Sequence, residues 1–150
     1  MHMQKAQPES VASVRALLDD LRPFVQNLLE KLIDRTNPNW WGLYVDQTFF
    51  PKPVHKSERE LGALDLPSLL KILTKKWPDF HKALGMPWHH NGTIFTLIQI
   101  RNDYSHVDEE LPTDLDVLVA LHGIHAFAKE FLAPQAIRDM AAKEIEAAVA

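Results

Sequence analysis

The feature that most constrains this chain is a stripe of apolar residues that returns every three or four positions. From Val11 it runs through Val14, Leu17, Leu18, Leu21, Phe24, Val25, Leu28, Leu29, Leu32 and Ile33, which is one face of an amphipathic helix. Pro23 lies inside this run. The pattern therefore predicts either a kink there or a first helix that ends near Asp20, with Pro23 opening the next. Asp65 and Pro67 then have the order of an N-cap and an early helical proline, and Leu66, Leu69, Leu70 and Leu73 carry the helix toward Lys76. Phe80 to Leu84 form a further segment restarted by Pro78 and stopped by Gly85. Asn91 reads as the cap of a helix holding Ile94, Phe95, Leu97 and Ile98. Thr113, with Asp114 and Asp116 behind it, opens a helix running through Leu115, Leu118, Leu121, Ile124 and Phe127 to Phe131, with negative charge at its positive end. Pro134 stops it, and Ile137, Met140, Ala141 and Ile145 mark a last amphipathic helix.

No βαβ alternation and no repeat period interrupts this series. The expected fold class is all-α, a bundle of five or six helices. One region departs from the period, TNPNWWGLYVDQTFFPKP, which reads as an irregular aromatic-rich connection with a short strand at Leu43 to Val45. Its Trp40, Trp41, Phe49 and Phe50 are expected to form a satellite core.

At 150 residues the chain has the length of one domain with a core of its own. It contains no cysteine, which excludes disulfides, thiol nucleophiles and cysteine zinc sites. No apolar run approaches the roughly 18 residues that span a bilayer, and the N-terminus lacks the apolar stretch of a signal peptide. A cytosolic protein without a membrane partner is expected. The net charge of −4 argues against nucleic-acid binding through a broad basic surface but leaves room for a local site. His2 and Met3 read as a cloning junction, which suggests a piece of something longer. The expected organisation is a flexible N-terminus over 1–10, a helical domain over 11–133 and a C-terminal amphipathic helix over 134–150.

The candidate chemistry lies in LIQIRNDYSH, residues 97–106. Projected on a helix, Ile94, Leu97, Ile98 and Arg101 share one stripe, with Tyr104 and Ser105 a turn further. Arg101 is then expected in place of a core residue. A guanidinium withdrawn from water must meet an anion, either a carboxylate of the same chain or a phosphate brought by a ligand. His106 lies five residues on, about 140° around the axis and about 7.5 Å along it. The two side chains converge if the helix loosens at its end or if a second copy supplies one of them. The plainer reading of His106 is a histidine favoured by the helix dipole.

Other polar clusters carry less. His122 and His125 are three apart on a helix, but spacing indicates no third ligand, so no metal is expected. His89 and His90 read as loop residues. Lys71, Lys75 and Lys82, with His81 and Trp77 among them, form either a strip that guides an RNA backbone or the solvated face of a helix.

Arg101, the polar Asn102, three further residues and His106 resemble the Arg, polar residue, His motif of the HEPN superfamily. VRALLDDLRPFVQNLLE, the tryptophans Trp40 and Trp41, LLKILTKKWPDF and IRNDYSH look like the branch that bacteria fuse to ATPases and restriction-like or phage-defence proteins, over a stretch from Val14 to about Leu132. The resemblance implies a helical-bundle homodimer with the two motifs facing each other. It also implies a metal-independent endoribonuclease of the toxin or phage-defence kind, with RNA as substrate, 2′,3′-cyclic phosphate ends and no cofactor. His106 would transfer protons, Arg101 would stabilise the phosphate and Asn102 would orient a neighbour or the substrate. Tyr104 would stack on a base, and Lys71, Lys75 and Lys82 would hold the backbone. The acidic Asp108, Glu109 and Glu110 behind His106 depart from what a phosphate site wants. They favour the alternative of a non-catalytic interaction, dimerisation or RNA-sensing module of a larger defence or nucleic-acid-processing protein with an associated ATPase.

Overall fold

A computed structural model describes residues 4–51, 59–107 and 110–150. The first stripe folds as one helix, α1 (Pro8–Leu32), with Pro23 inside it. Of the two readings at Pro23, a helix that ends near Asp20 does not form: Pro23 and Asp19, whose carbonyl loses its donor, both face solvent, where water satisfies the freed oxygen. Val14, Leu17, Leu18, Leu21, Val25 and Leu29 are buried along the opposite face.

The aromatic connection contains a wide π-type helical turn over Trp41–Asp46 rather than a strand. The Gln47 N–H donates to the Gly42 carbonyl, five residues back, at 3.1 Å. This winding turns Trp41 and Val45 into the core together. Trp40 and Phe49 pack against them half-buried, whereas Phe50 is 81% exposed and does not join the satellite core.

Helices α2 (Leu66–Lys75) and α3 (Trp77–Leu84) follow. The Asp65 carboxylate caps α2 by accepting from the Ser68 N–H at 2.9 Å, and Gly85 ends α3 with a left-handed φ of 68°. A 3-10 turn over Trp88–His90 leads into α4 (Asn91–Tyr104). Asn91 is therefore the first residue of α4, and its side chain does not cap the helix. Thr113 and Asp116 close a reciprocal capping box at the start of α5 (Asp114–Glu130), and α6 (Gln135–Val149) packs back on α5 and α1.

Helix α4 is enclosed by α1, α2 and α5. Its approach to α5 is closest at Gly123, where a Cβ would stand 2.6 Å from Ile100 Cδ1 and 3.2 Å from Thr96 Cγ2. Residues 4–10 do not hang free as expected of a flexible N-terminus. Ala6 is buried and its N–H donates to the Pro112 carbonyl at 2.9 Å, while the Asp114 N–H donates to the Gln4 carbonyl at 3.0 Å. An isolated bridge between Lys5 and Thr113 completes this tie.

The cap of α2 yields a stability prediction. Burial raises the Asp65 carboxyl, but the Ser68 hydrogen bonds and the positive charges of Arg101 and Lys71 outweigh it, so the group titrates below its ordinary range. A depressed folded pKa stabilises above the unfolded value of about 4 and is lost as pH falls through the folded value. Asp65→Ala should cost about 1 kcal/mol at neutral pH. That deficit should shrink below about pH 4, as urea unfolding at pH 7 and pH 3 would read.

Candidate functional site

The buried residues of α4 are Ile94, Leu97, Ile100 and Tyr104. The stripe passes through Ile100, which Gly123 admits, and not through Arg101. Arg101 is half-buried at the edge of the stripe and does not replace a core residue. It borders a cavity of about 240 Å³ lined by Arg15, Leu18, Asp19, Arg101, Tyr104 and Ser105.

Arg15 is the functional candidate that sequence reasoning missed. Its Nε donates to the Tyr104 carbonyl at 3.1 Å, one of the carbonyls that a helix end leaves without an internal donor. The rest of its guanidinium shares a cavity with Arg101. Among the described residues neither guanidinium lies within 4.0 Å of a carboxylate oxygen. Asp19 lines the same cavity, and Asp65 feels the Arg101 charge without pairing to it. Two arginines in one concave site, neither neutralised by contact, form a place where an oxyanion is favoured.

His106 stands beyond the helix end, exposed, with its N–H 3.3 Å from the Asp103 carbonyl. It borders a second cavity of about 750 Å³, whose charged lining residues are Lys5, Asp103, Glu110 and Asp116 and to which Asn102 also belongs, with an apolar wall from Leu115 and Val119 of α5. Among the described residues, Arg101 and His106 line different cavities. Asn102 goes with His106, and Asp108 and Glu109 lie outside the described residues.

Tyr104 is the partition, since it borders both cavities. Its side chain is buried, which leaves no ring face open for a base and corrects the stacking role expected of it. The phenol has no hydrogen-bond partner among the described residues. Burial, followed by the charges of Asp116 and Asp103, pushes its pKa up to about 12, so it stays protonated at neutral pH.

The basic strip divides. Lys71 and Lys75 line one groove with Trp88 and Phe95, whereas Lys82 is exposed on α3 outside the walls of that groove. Trp77, expected among the lysines, is wholly buried. His122 is exposed and His125 half-buried on α5. Among the described residues no group of three or more potential ligands is placed to hold a metal ion, and no helix is long and apolar enough to cross a membrane.

An all-helical bundle that carries an Arg, polar residue, His motif at the end of an enclosed helix is the arrangement of a HEPN domain. The chain belongs to the Swt1-like HEPN family, whose pattern it matches over residues 13–130. Comparison with curated proteins and with solved structures gives no match.

Because the buried Tyr104 hydroxyl has no partner among the described residues, Tyr104→Phe removes a desolvation cost while keeping the ring. Thermal unfolding should show the variant equal to the parent or more stable by up to about 1 kcal/mol. A loss beyond about 1 kcal/mol would mean that the hydroxyl has a structural partner.

Proposed function

We propose that this protein is a metal-independent endoribonuclease whose active site is completed by a second copy of the chain. The observation that carries the reading is that Arg101 and His106 line different cavities, both bordered by Tyr104. One copy presents a cationic half and a proton-transfer half, each open to the outside. Two copies related by a two-fold axis can bring Arg101 of one against His106 of the other, as self-complementary interfaces allow.

The chemistry follows from the groups present. Attack of a ribose 2′-OH on the adjacent phosphorus forms a new P–O bond and breaks the bond to the 5′ oxygen, leaving a 2′,3′-cyclic phosphate and a 5′-OH. The imidazole of His106 can accept the 2′-OH proton or donate to the leaving oxygen near neutral pH. The Arg101 guanidinium holds the phosphoryl oxygens through its planar fork as charge develops on them. Asn102, beside His106, orients the imidazole or the ribose. Arg15 sets the end of α4 and adds positive charge to the cavity that receives the phosphate.

The apolar row that such a dimer would bury lies next to His106. Leu111, Leu115 and Val119 are 47%, 46% and 61% exposed and, on α5, Leu115 and Val119 stand one turn apart. Contiguous exposed apolar side chains of this kind mark contact surfaces.

Single-turnover cleavage of labelled RNA in EDTA tests the chemistry. Arg101→Ala and His106→Ala should each slow cleavage by about 100-fold or more. Mixed dimers of the two variants should regain activity, because one composite site in each then holds both native residues. A folded parent dimer that cleaves no RNA would overturn the nuclease reading in favour of a non-catalytic interaction module in a larger, ATPase-linked protein. Arg101→Ala cleaving like the parent would remove the arginine from the mechanism.

The dimer face has its own test. Leu115→Glu with Val119→Glu should convert the dimer to monomer by sedimentation and abolish cleavage with it, leaving the helical circular dichroism unchanged. A dimer that persists in the double variant would place the interface elsewhere.

A further inference from the structure

Lys71 and Lys75, one turn apart on α2, form a wall of a groove of about 430 Å³ whose other walls include Trp88, Asn91 and Phe95. Trp88 and Phe95 are 53% and 56% exposed, unusually open for rings that flank two ammonium groups. Trp88 is anchored through its backbone, and its ring has an aromatic neighbour. The Trp77 Nε1–H donates to the Trp88 carbonyl at 2.8 Å, and the His81 ring meets the Trp88 ring edge to face, with centroids 5.4 Å apart. His81 is itself fixed, its Nδ1 lying 2.9 Å from the Met86 carbonyl. These contacts restrict Trp88, and restriction of that kind lowers the ordering cost of stacking on it.

Lys71 and Lys75 are both exposed, so two ammonium groups and two open aromatic faces meet in one groove. The groove also has a direction. Lys75 and Asn91 share it, whereas the far end of α2, at Asp65, feels the charge of Arg101. The two helices therefore run antiparallel, and Phe95 lies six residues before Arg101, about 9 Å along the axis of α4.

We infer that this groove binds single-stranded nucleic acid, with bases stacked on Trp88 and Phe95 and phosphates on Lys71 and Lys75, and leads the strand toward Arg101. The inference rests on the RNA-directed reading given above for the chain. An apolar protein partner would bury both ammonium groups without a counter-charge, whereas a strand supplies a ring for each aromatic face and an anion for each lysine.

The test is fluorescence anisotropy of a labelled oligouridylate on the 150-residue chain carrying His106→Ala, so that cleavage does not intervene. Trp88→Ala and Phe95→Ala should each weaken binding by between about five-fold and about a hundred-fold. Lys71→Gln and Lys75→Gln should each lower the slope of log affinity against log salt by about 0.7, and Lys143→Gln, on α6, should leave it unchanged. Unaltered affinity in both aromatic variants overturns the inference. So does dissociation of a dimer by those variants with binding unaltered at matched oligomeric state, which would make the groove a contact between copies. If the groove variants, with His106 restored, bind and cleave as the parent while Arg101→Ala abolishes cleavage, the groove falls and the nuclease reading stands. If the groove variants lose binding while Arg101→Ala and His106→Ala cleave normally, the groove stands and the assigned active site falls.

Discussion

The C-terminal end of α4 is the point on which the rest of the molecule depends. An α-helix that ends inside a bundle leaves carbonyls without internal donors, and each must be satisfied or solvated. Here the Ser105 N–H reaches back to the Arg101 and Asn102 carbonyls at 3.1 and 3.2 Å, and Arg15 supplies the Tyr104 carbonyl from α1. That last bond links residues 89 positions apart. It ties the motif to α1, so the position of Arg101 depends on α1 remaining one helix through Pro23. A break at Pro23 would swing the Val25 and Leu29 half of α1 relative to the half that holds Arg15 and Leu21, and the shared core would have to repack.

The electrostatics of this end work against compactness unless an anion or solvent intervenes. Two guanidiniums that line one cavity repel, and solvent screens that repulsion because Arg15 is exposed. Asp19 at the cavity wall and Asp65 at the cap of α2 offset part of this without contacting either charge. The chain as a whole is acidic, so the positive field is local. An anion is drawn to this cavity and not to the surface in general.

Much of this was legible in the sequence, and the exceptions share a cause. The helices, the Asp65 and Thr113 caps and the Gly85 stop follow from local residue order, because propensity, capping and apolar period agree at those places. The register of α4 did not. Ile98 and Ile100 are both apolar, so two stripes fit the same residues, one through Arg101 and one through Ile100. The choice was made by Gly123 on another helix, which opens space for Ile100. Trp77 and Trp88 present the same difficulty: either could have been the exposed ring, and only the packing of α3 against the core decides. Arg15 left a faint trace as a charged residue on the edge of the α1 stripe between Val14 and Leu18. Its partner, a backbone carbonyl, has no signature in the sequence. At Pro23 local rules allowed the helix to end, and solvent exposure of Pro23 and Asp19 lets it continue, while the contacts of Gln4 and Ala6 with residues 112–114 are tertiary and leave no local signature.

Separation of the two halves of the site has a consequence for how such a protein would be controlled under the proposed reading. A nuclease assembled within one copy acts at any concentration, so restraint must come from an inhibitor or a lid. If, as proposed, Arg101 and His106 meet only when two copies associate, the active fraction follows mass action. Dilute chain would hold each half apart, bound to nothing that reacts. The apolar row of Leu115 and Val119 then does more than hold two copies together. It makes association the catalytic switch, and anything that competes for that row, or crowds copies onto one RNA strand through the Trp88 groove, changes activity without touching the reacting groups.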